Sequence, residues 1–488
     1  MKVVVLDDDP TGSQTVHGCP LLLRWDPATL RRGLAHPSPL LFVLANTRAL
    51  APAAAAERVA EICRALRRAV AAEQAEGRCR HWLIVSRGDS TLRSHFPLEC
   101  DVIAAELGGE GGAGGGPSQG FEATFLAPAF LPGGRTTVHG VHLLNGEPVH
   151  TTPFARDGLF GYGSSDLAEW AEERSGGRIA AASVERLGLV ELDAAAASAE
   201  GHAALCARLA ALEGNRLVAV DAERPRQLAA LGAAVRELTA PAAAERWGRP
   251  RRFLFQSAAS LLNGLVALPS QPLDAAGLAG LRRRGPQGPL PGLVLVGSHV
   301  PLADAQLAAL LAEPGCRAVE LPVARLARVL EGPLPAELLA SLEQAWRGQL
   351  LTCLADGLTP VLHTSRGELR CASPAERRRL GEGLASLMAR LAGALAPRLG
   401  YVISKGGITT QALLSEGLDL AAVELQGQLL PGLSLVLTPD GPPVPRLPVL
   451  TFPGNLGEAG TLRQAWQLME GQRQDRQRQE GLPPAAAE

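Results

Sequence analysis

A chain of 488 residues is long enough for two or three domains and a large apolar core. Its net charge of −2 gives no electrostatic case for nucleic acid or an anionic membrane surface, and 46% hydrophobic residues with mean hydropathy +0.08 fit a soluble globular protein. There is no uncharged apolar run of membrane-spanning length, and Asp7 follows too soon after the start for a signal peptide, so the expected location is the cytoplasm.

The chain opens with Val3 to Leu6 running into Asp7, Asp8 and Asp9, then Pro10, Thr11 and Gly12. A short continuous apolar run is how a fully buried parallel strand reads, and proline and glycine end it at once. Three adjacent carboxylates at the carboxyl end of such a strand are costly unless a cation, a shared proton or open water relieves them. Pro20–Leu23 and Leu40–Leu44 read as further strands, the second ending at Ala45, Asn46, Thr47 and Arg48. Residues 53–75 carry Val59, Ile62, Leu66 and Val70 at helical spacing. His81–Val85 is another strand, entering Ser86, Arg87, Gly88, Asp89, Ser90, Thr91, Leu92 and Arg93. Strands alternating with helices argue for a parallel, doubly wound sheet whose strand ends share one rim.

The Gly-rich stretch 108–117 reads as a disordered surface insertion, and the turn-rich residues 125–163 as an extended lobe. Leu217–Val220 is a strand and Leu228–Leu238 a helix; residues 269–292, dense in Pro, Gly and Arg, are the candidate linker. Beyond it the alternation restarts with a strand at Leu293–Val296, a helix at Leu302–Leu311 and a strand at Pro360–Leu362. A helix at Pro374–Leu395 and strands at Tyr401–Ser404 and Leu447–Phe452 complete it, and residues 471–488 read as a disordered tail. The expected organisation is α/β: two domains, 1–268 and 293–470, each a mostly parallel sheet flanked by helices, with the active site in the cleft between them.

Four strand ends of the second half carry small or hydroxyl residues: Gly297–Ser298, Thr364–Ser365, Lys405–Gly406–Gly407–Ile408–Thr409 and Gly454–Asn455. Glycine lets backbone N–H groups approach an anion closely, which suits nucleotide phosphates, and no GxxxxGK[ST] is present. Lysine occurs only at Lys2 and Lys405, so its place beside a diglycine stands out against the Arg-rich background. In the first half, Arg48, Arg87 and Arg93 are cationic forks for a carboxylate or phosphate, while Asp8, Asp9 and Asp89 could orient hydroxyls. Surface ion pairing is the plain alternative for the arginines. His139 and His142 have HxxH spacing but no obvious third ligand, which favours a loop role. The eight scattered cysteines lack a CxxC pair and read as reduced structural thiols, not a disulfide frame or a zinc site.

Asp7, Asp9 and Thr11 also fit the DxDxT pattern of haloacid dehalogenase-like phosphatases, with Asp7 as nucleophile. That family needs a downstream lysine and a late acidic pair, whereas Lys405 lies far away and Val220–Asp221–Ala222 supplies one acid. A non-catalytic metabolite-binding protein is the remaining alternative.

The chain resembles the four-carbon acid sugar kinase family, once catalogued only as a domain of unknown function. The segments that carry the resemblance are VVVLDDDPTGSQTVHG, SRGDSTLRSHFPLECD, FARDGLFGYGSSDLAEWAEE, LVLVGSHVP, HTSR, ISKGGITTQALL, GQLLPG and FPGNLG. The resemblance implies a sugar-acid-binding N-terminal domain, a nucleotide-binding C-terminal domain, and ATP-dependent phosphorylation of a terminal hydroxyl on a threonate-, erythronate- or 3-oxo-tetronate-type acid. It places Asp8, Asp9, Arg87, Asp89, Ser90, Thr91 and Arg93 on the acid side, and Ser298, Gly406, Gly407, Ile408, Thr409 and Gly454 on the ATP side. The departures are Ser94 where glycine is common, Thr410–Gln411 where Ser-Asp is common, and Asp7 and Pro10 around the first aspartate pair. On this reading Asp8 or Asp9 takes the hydroxyl proton or helps hold Mg2+, and Lys405 either neutralises phosphate charge or shapes the turn. The partners are the sugar acid and ATP, with neither nucleic acid nor membrane, and a homo-oligomer is left open.

Overall fold

In the computed structural model, the described residues are 1–471 apart from 14, 80, 109–119, 331–335, 368, 370 and 443. Most of the Gly-rich insertion and the tail beyond 471 therefore lie outside the described residues. The chain divides into two compact units, Met1–Ser270 and Gln271–Glu488.

The first unit is built on an eight-stranded sheet. Its strands are β1 (Lys2–Asp7), β2 (Cys19–Leu22), β3 (Leu40–Leu44), β4 (Trp82–Arg87) and β5 (Ala123–Ala127). A three-stranded antiparallel ribbon follows, β6 (Arg135–Val138), β7 (Val141–Leu144) and β8 (Glu147–Pro148), and then β9 (Glu185–Leu187), β10 (Arg216–Val220) and β11 (Phe253–Ser257) return to the main sheet. The order is β2-β3-β1-β4-β11-β5-β10-β9, with every pair parallel. Every residue of β1 is buried, as the uninterrupted apolar run requires when helices cover both faces. The helix Pro52–Ala75 starts with proline at its first turn and buries Val59, Ile62, Cys63 and Leu66. Each such side chain contributes roughly 1.5–3 kcal/mol on leaving water. The ribbon β6–β8 and the short 3-10 turns after it form the extended lobe expected at 125–163.

The second unit carries β14 (Gly292–Val296), β15 (Cys316–Leu321), β16 (Thr359–Thr364), β17 (Tyr401–Lys405), β18 (Ala422–Leu430), β19 (Leu433–Leu437) and β20 (Pro448–Phe452), preceded by a small hairpin of β12 (Arg284–Gly285) and β13 (Gly288–Pro289). The order is β15-β16-β14-β17-β20-β19-β18, parallel as far as β20 and antiparallel beyond. β18 alternates buried and half-buried residues, the period of a strand with one open face, whereas β14 and β17 are buried throughout. Of residues 269–292, expected as a linker, those from Gln271 onward are instead part of this unit. Leu278 of the helix Ala275–Ala279 is fully buried in the core beside Val294, Tyr401 and Trp466, and Leu273 packs against it. Pro, Gly and Arg dominate the composition there, but the spaced leucines supply the apolar contacts.

The family-type α/β architecture expected from the sequence is thus present, with mostly parallel sheets and flanking helices. Among the described residues, no helix is long and apolar enough to cross a membrane. All eight cysteines are free.

Candidate active site

The carboxyl ends of β1, β3 and β4 are tied together through the backbone. The Asp7 carbonyl accepts from Ala45 N (2.9 Å) and Asn46 N (3.1 Å), and Asp8 N donates to the Arg87 carbonyl (3.2 Å). This lacing brings Asp8, Asp9, Arg48, Arg87 and Asp89 to one rim. Asp8 is 2% exposed and gripped by the fork of Arg48, whose Nε donates to Oδ2 at 3.0 Å and whose Nη2 donates to Oδ1. Burial still outweighs that pairing and holds the Asp8 carboxyl above the usual range. Asp9 is different: its side chain is 19% exposed, Oδ1 accepts from Thr11 N at 2.8 Å and from the Thr11 hydroxyl, and Oδ2 lies 3.4 Å from Arg48 Nη1. Of the two, only Asp9 presents a carboxylate to solvent.

Asp7 is fully buried, and neither carboxylate oxygen has a hydrogen bond among the described residues. Arg87 Nη1 sits 3.6 Å from Asp7 Oδ1 and 3.8 Å from Asp8 Oδ1, with Arg87 itself 3% exposed. Desolvation pushes Asp7 up to about 7, against the pull of Arg87 and with the help of Asp8 and Asp9. The repulsion foreseen for three adjacent carboxylates is relieved by the guanidiniums of Arg48 and Arg87 and by the proton that Asp7 keeps up to about pH 7. A DxDxT phosphatase would need Asp7 as its exposed nucleophile, and the burial argues against that chemistry.

The second loop is set by Leu92 at φ +65°, a strained left-handed position for a branched side chain. Asp89 accepts from Arg93 Nε at 2.7 Å and from the Thr91 hydroxyl. Burial draws the Asp89 carboxyl up, but Arg93 and Arg48 overcome it and hold it well below the usual range, so it stays ionised. The Arg93 guanidinium lies over the Phe154 ring (4.9 Å) and 3.8 Å from Asp157. Tyr162 donates to the Thr91 carbonyl at 2.7 Å. His142, fully buried, pairs with the Ser90 carbonyl (2.8 Å) and the Thr137 hydroxyl (3.0 Å). The loop role expected for the HxxH histidines does not hold for His142, which lies inside β7 and positions Ser90 from there. Arg135 of β6 is near enough to feel both Asp89 and Arg93.

Sequence reasoning missed Arg135, Phe154, Asp157 and Tyr162 as site residues, although three of them lie inside the segment 154–173 that carried the family resemblance. It also missed Glu99, buried beside Ser86, which donates to it at 3.1 Å. Desolvation and then Asp8 push Glu99 up to about 7. An acid in the first turn of a helix, two residues from a proline, gives no warning of burial by its residue type.

In the second unit the loops after β14, β17 and β20 converge. A Cβ on Gly297 would lie 2.0 Å from Thr409 Oγ1, and one on Gly454 would lie 2.8 Å from Ser298 Oγ. Gly406 has φ +115°, a backbone region closed to other residues, and its missing side chain faces Ser298. Gly297, Ser298, Gly406, Thr409 and Gly454 thus form one close-packed rim, Gly406 and Thr409 buried and the others half-buried, with Gly407, the half-exposed Ile408 and Asn455 at its edge. Arg366 ties the neighbouring loop in, donating to the Ser298 carbonyl and to Asp304, both at 2.6 Å. Thr364 is buried against His299, and the Ser365 hydroxyl accepts from Val323 N, so each hydroxyl makes one contact to the scaffold. Lys405 is fully buried, with Nζ 3.1 Å from the carbonyls of Pro453 and Gly454 and over the Phe452 ring. Desolvation, then Arg366, lowers its pKa to about 7. Its contacts are those of a brace beneath the Gly454 turn.

Comparison with known proteins supports a division of labour. Residues 3–265 match the model of a sugar-binding N-terminal domain, and residues 293–462 that of a nucleotide-binding C-terminal domain. The chain is 32% identical over 388 residues to a D-threonate kinase of Cupriavidus necator, covering 78% of each. Two solved structures share the fold: a Salmonella typhimurium LT2 protein described as a tRNA synthase (TM-score 0.65, 18% identity, 95% of this chain and 98% of that one), and a Haemophilus influenzae protein from a domain family of unknown function (TM-score 0.59, 14% identity, 96% and 100%).

Proposed function

The chain belongs to the four-carbon acid sugar kinase family and is a phosphotransferase with an alcohol acceptor; from that premise we propose that it moves the terminal phosphoryl group of ATP to a hydroxyl of a threonate-like acid. The observation that carries this reading is the pairing, in one chain, of a rim of carboxylates and guanidiniums in the first unit with a rim of bare backbone in the second. The substrate carboxylate docks on Arg93, with Arg135 adding positive potential. Arg87 is too deeply buried for that task and serves as the internal counter-charge of Asp7 and Asp8. Asp89 and Ser90 receive the substrate's hydroxyls.

Asp9 takes the proton of the attacking hydroxyl, because Asp8 is locked by Arg48 while Asp9 is reachable. The phosphates lie on the backbone of Gly297, Ser298, Gly406, Gly407 and Gly454. Transfer then depends on alignment and charge stabilisation more than on covalent work by the protein. Magnesium fits a donor set of hard carboxylate and hydroxyl oxygens; were Asp9 to hold it in place of taking the proton, the ion would neutralise phosphate charge. Cytoplasmic location belongs to the same proposal.

The test is a coupled kinase assay over a panel of four-carbon acids with ATP and magnesium. ADP should form only when a suitable acid is present, and Asp9→Asn should lower kcat by about 10²- to 10⁴-fold with the fold intact. ADP release that ignores the acid, or full turnover by Asp9→Asn, refutes the assignment. Binding of both ligands without turnover would favour a metabolite-binding protein.

A further inference from the structure

In the first unit, on the helices Ala199–Ala210 and Pro225–Thr239, His202, Cys206 and Glu237 bring an imidazole nitrogen, a thiol sulfur and a carboxylate oxygen within 4.8 Å of one another. His202 and Cys206 are four residues apart and so share one helix face. Glu237 reaches them from the neighbouring helix. His202 Nε2 is 3.0 Å from Glu237 Oε2 and 3.5 Å from Cys206 Sγ. A tetrahedral ion with ordinary zinc–nitrogen, zinc–oxygen and zinc–sulfur bonds would hold such atoms about 3.3 Å and about 3.5 Å apart. These two sides therefore need only a few tenths of an ångström of adjustment, and the third, from sulfur to carboxylate oxygen, lies within 4.8 Å.

The outer contacts also match. Glu237 Oε1 is held by Arg246 Nη1 at 3.0 Å and Trp247 Nε1 at 3.4 Å, which leaves Oε2 turned toward the histidine and cysteine. A carboxylate ligand whose second oxygen is fixed by other donors is a common arrangement around bound metals. Cys206 is buried, whereas the His202 and Glu237 side chains are 28% and 33% exposed, so an ion has a way in and room for a water as fourth ligand.

We propose that His202, Cys206 and Glu237 form a binding site for a borderline-soft divalent cation of the zinc class, which clasps these two helices together. On binding, the thiol proton leaves to solvent and the sulfur lone pair bonds the ion; the proton that His202 shares with Glu237 leaves Nε2 and the ring keeps its other proton on Nδ1, which frees the Nε2 lone pair and Oε2 for the metal. Both helices lead from or toward β10, and Cys206 and Glu237 lie in their carboxyl-terminal halves, at the amino-end side of the parallel strands. The site is thus remote from the Asp8–Asp9 rim, and its role is structural. It is independent of the kinase reading.

Cobalt(II) serves as the spectroscopic probe, titrated into full-length protein cleared of bound transition metal and kept in magnesium. The expected result is one cobalt per chain, with a thiolate-to-metal charge-transfer band and the strong visible absorption of a tetrahedral centre. Cys206→Ala should abolish the charge-transfer band. His202→Gln and Glu237→Gln should each weaken cobalt binding about 100-fold or more, since even outer contacts are worth 10- to 100-fold. Kinase turnover should be unchanged in all three. Absence of the band in the wild type overturns the proposal, as does its persistence in Cys206→Ala or unaltered affinity in His202→Gln. If Cys206→Ala does not fold, the His202→Gln and Glu237→Gln titrations decide alone; unaltered affinity would mean that the histidine–glutamate contact is an ordinary ion pair.

Discussion

Asp7→Asn isolates the energetic consequence of putting a third carboxylate beneath the acceptor loop. Among the described residues, Asp7 has no hydrogen bond to either oxygen, and Arg87 Nη1 lies 3.6 Å from it. Burial raises its pKa from the ordinary 3.8 to about 7. Between those values the folded state holds a proton that the unfolded chain has lost, so folding stability falls as pH rises and levels off above pH 7. The full span corresponds to up to about 4 kcal/mol, at no more than about 1.4 kcal/mol per pH unit. Asparagine cannot ionise and mimics the protonated acid in shape. The stability of Asp7→Asn relative to wild type should therefore climb steadily between about pH 4 and pH 7, then stay flat. For a unit of this size that is a relative Tm gain of roughly 8 °C or more. Glu99, also raised to about 7, is present in both proteins and cancels in the difference. The assay is urea or thermal unfolding of both proteins across that range. Parallel stability curves would refute the buried-proton account, and a relative gain toward acid pH would reverse it.

In the second unit, Gly406→Ala should impose roughly 1–3 kcal/mol of backbone strain at φ +115°. It should also remove the thermal stabilisation by a non-hydrolysable ATP analogue while leaving stabilisation by the sugar acid intact, as differential scanning fluorimetry would read. Lys405→Met tests the brace beneath the Gly454 turn. The folded lysine loses its proton near pH 7 and the unfolded one near 10.5, so wild-type stability should rise with pH across that interval. The methionine variant should lack this rise and show a higher KM for ATP with kcat little changed. A large fall in kcat at saturating ATP would instead mean that the ammonium touches the transferring phosphate.

Strand positions were the most legible part of the chain. Val3–Leu6, Leu40–Leu44 and Leu217–Val220 lie within or coincide with observed strands because a parallel strand covered on both faces leaves polar residues nowhere to go. Helix Pro374–Leu395 was found for the complementary reason: its apolar residues recur at helical spacing from a serine cap onward. Residues 269–292 failed on composition, since Pro and Gly mark turns without saying whether those turns pack. His202, Cys206 and Glu237 escaped because the third group arrives from another helix, a relation that spacing rules for a single segment do not contain.

The acid cluster shows most clearly what a sequence leaves open. Asp7, Asp8 and Asp9 are chemically identical and adjacent, so no argument from residue type can give them different work. Their environments do so: Asp7, without a hydrogen bond among the described residues, faces the buried Arg87, Asp8 is gripped on both oxygens by Arg48, and Asp9 turns outward over Thr11. The cause is the alternation of a strand end that gives way to a turn. Asp7 is still in register with Leu44 and Arg87 and must point into the covered face, whereas Asp9 has left the ladder. The arginines divide by the same rule. Arg87, inside β4, is committed to the interior, and Arg93, beyond the left-handed Leu92, is 19% exposed and available to a substrate. Where the backbone leaves the sheet therefore decides which member of each charged set supports the fold and which one serves the reaction.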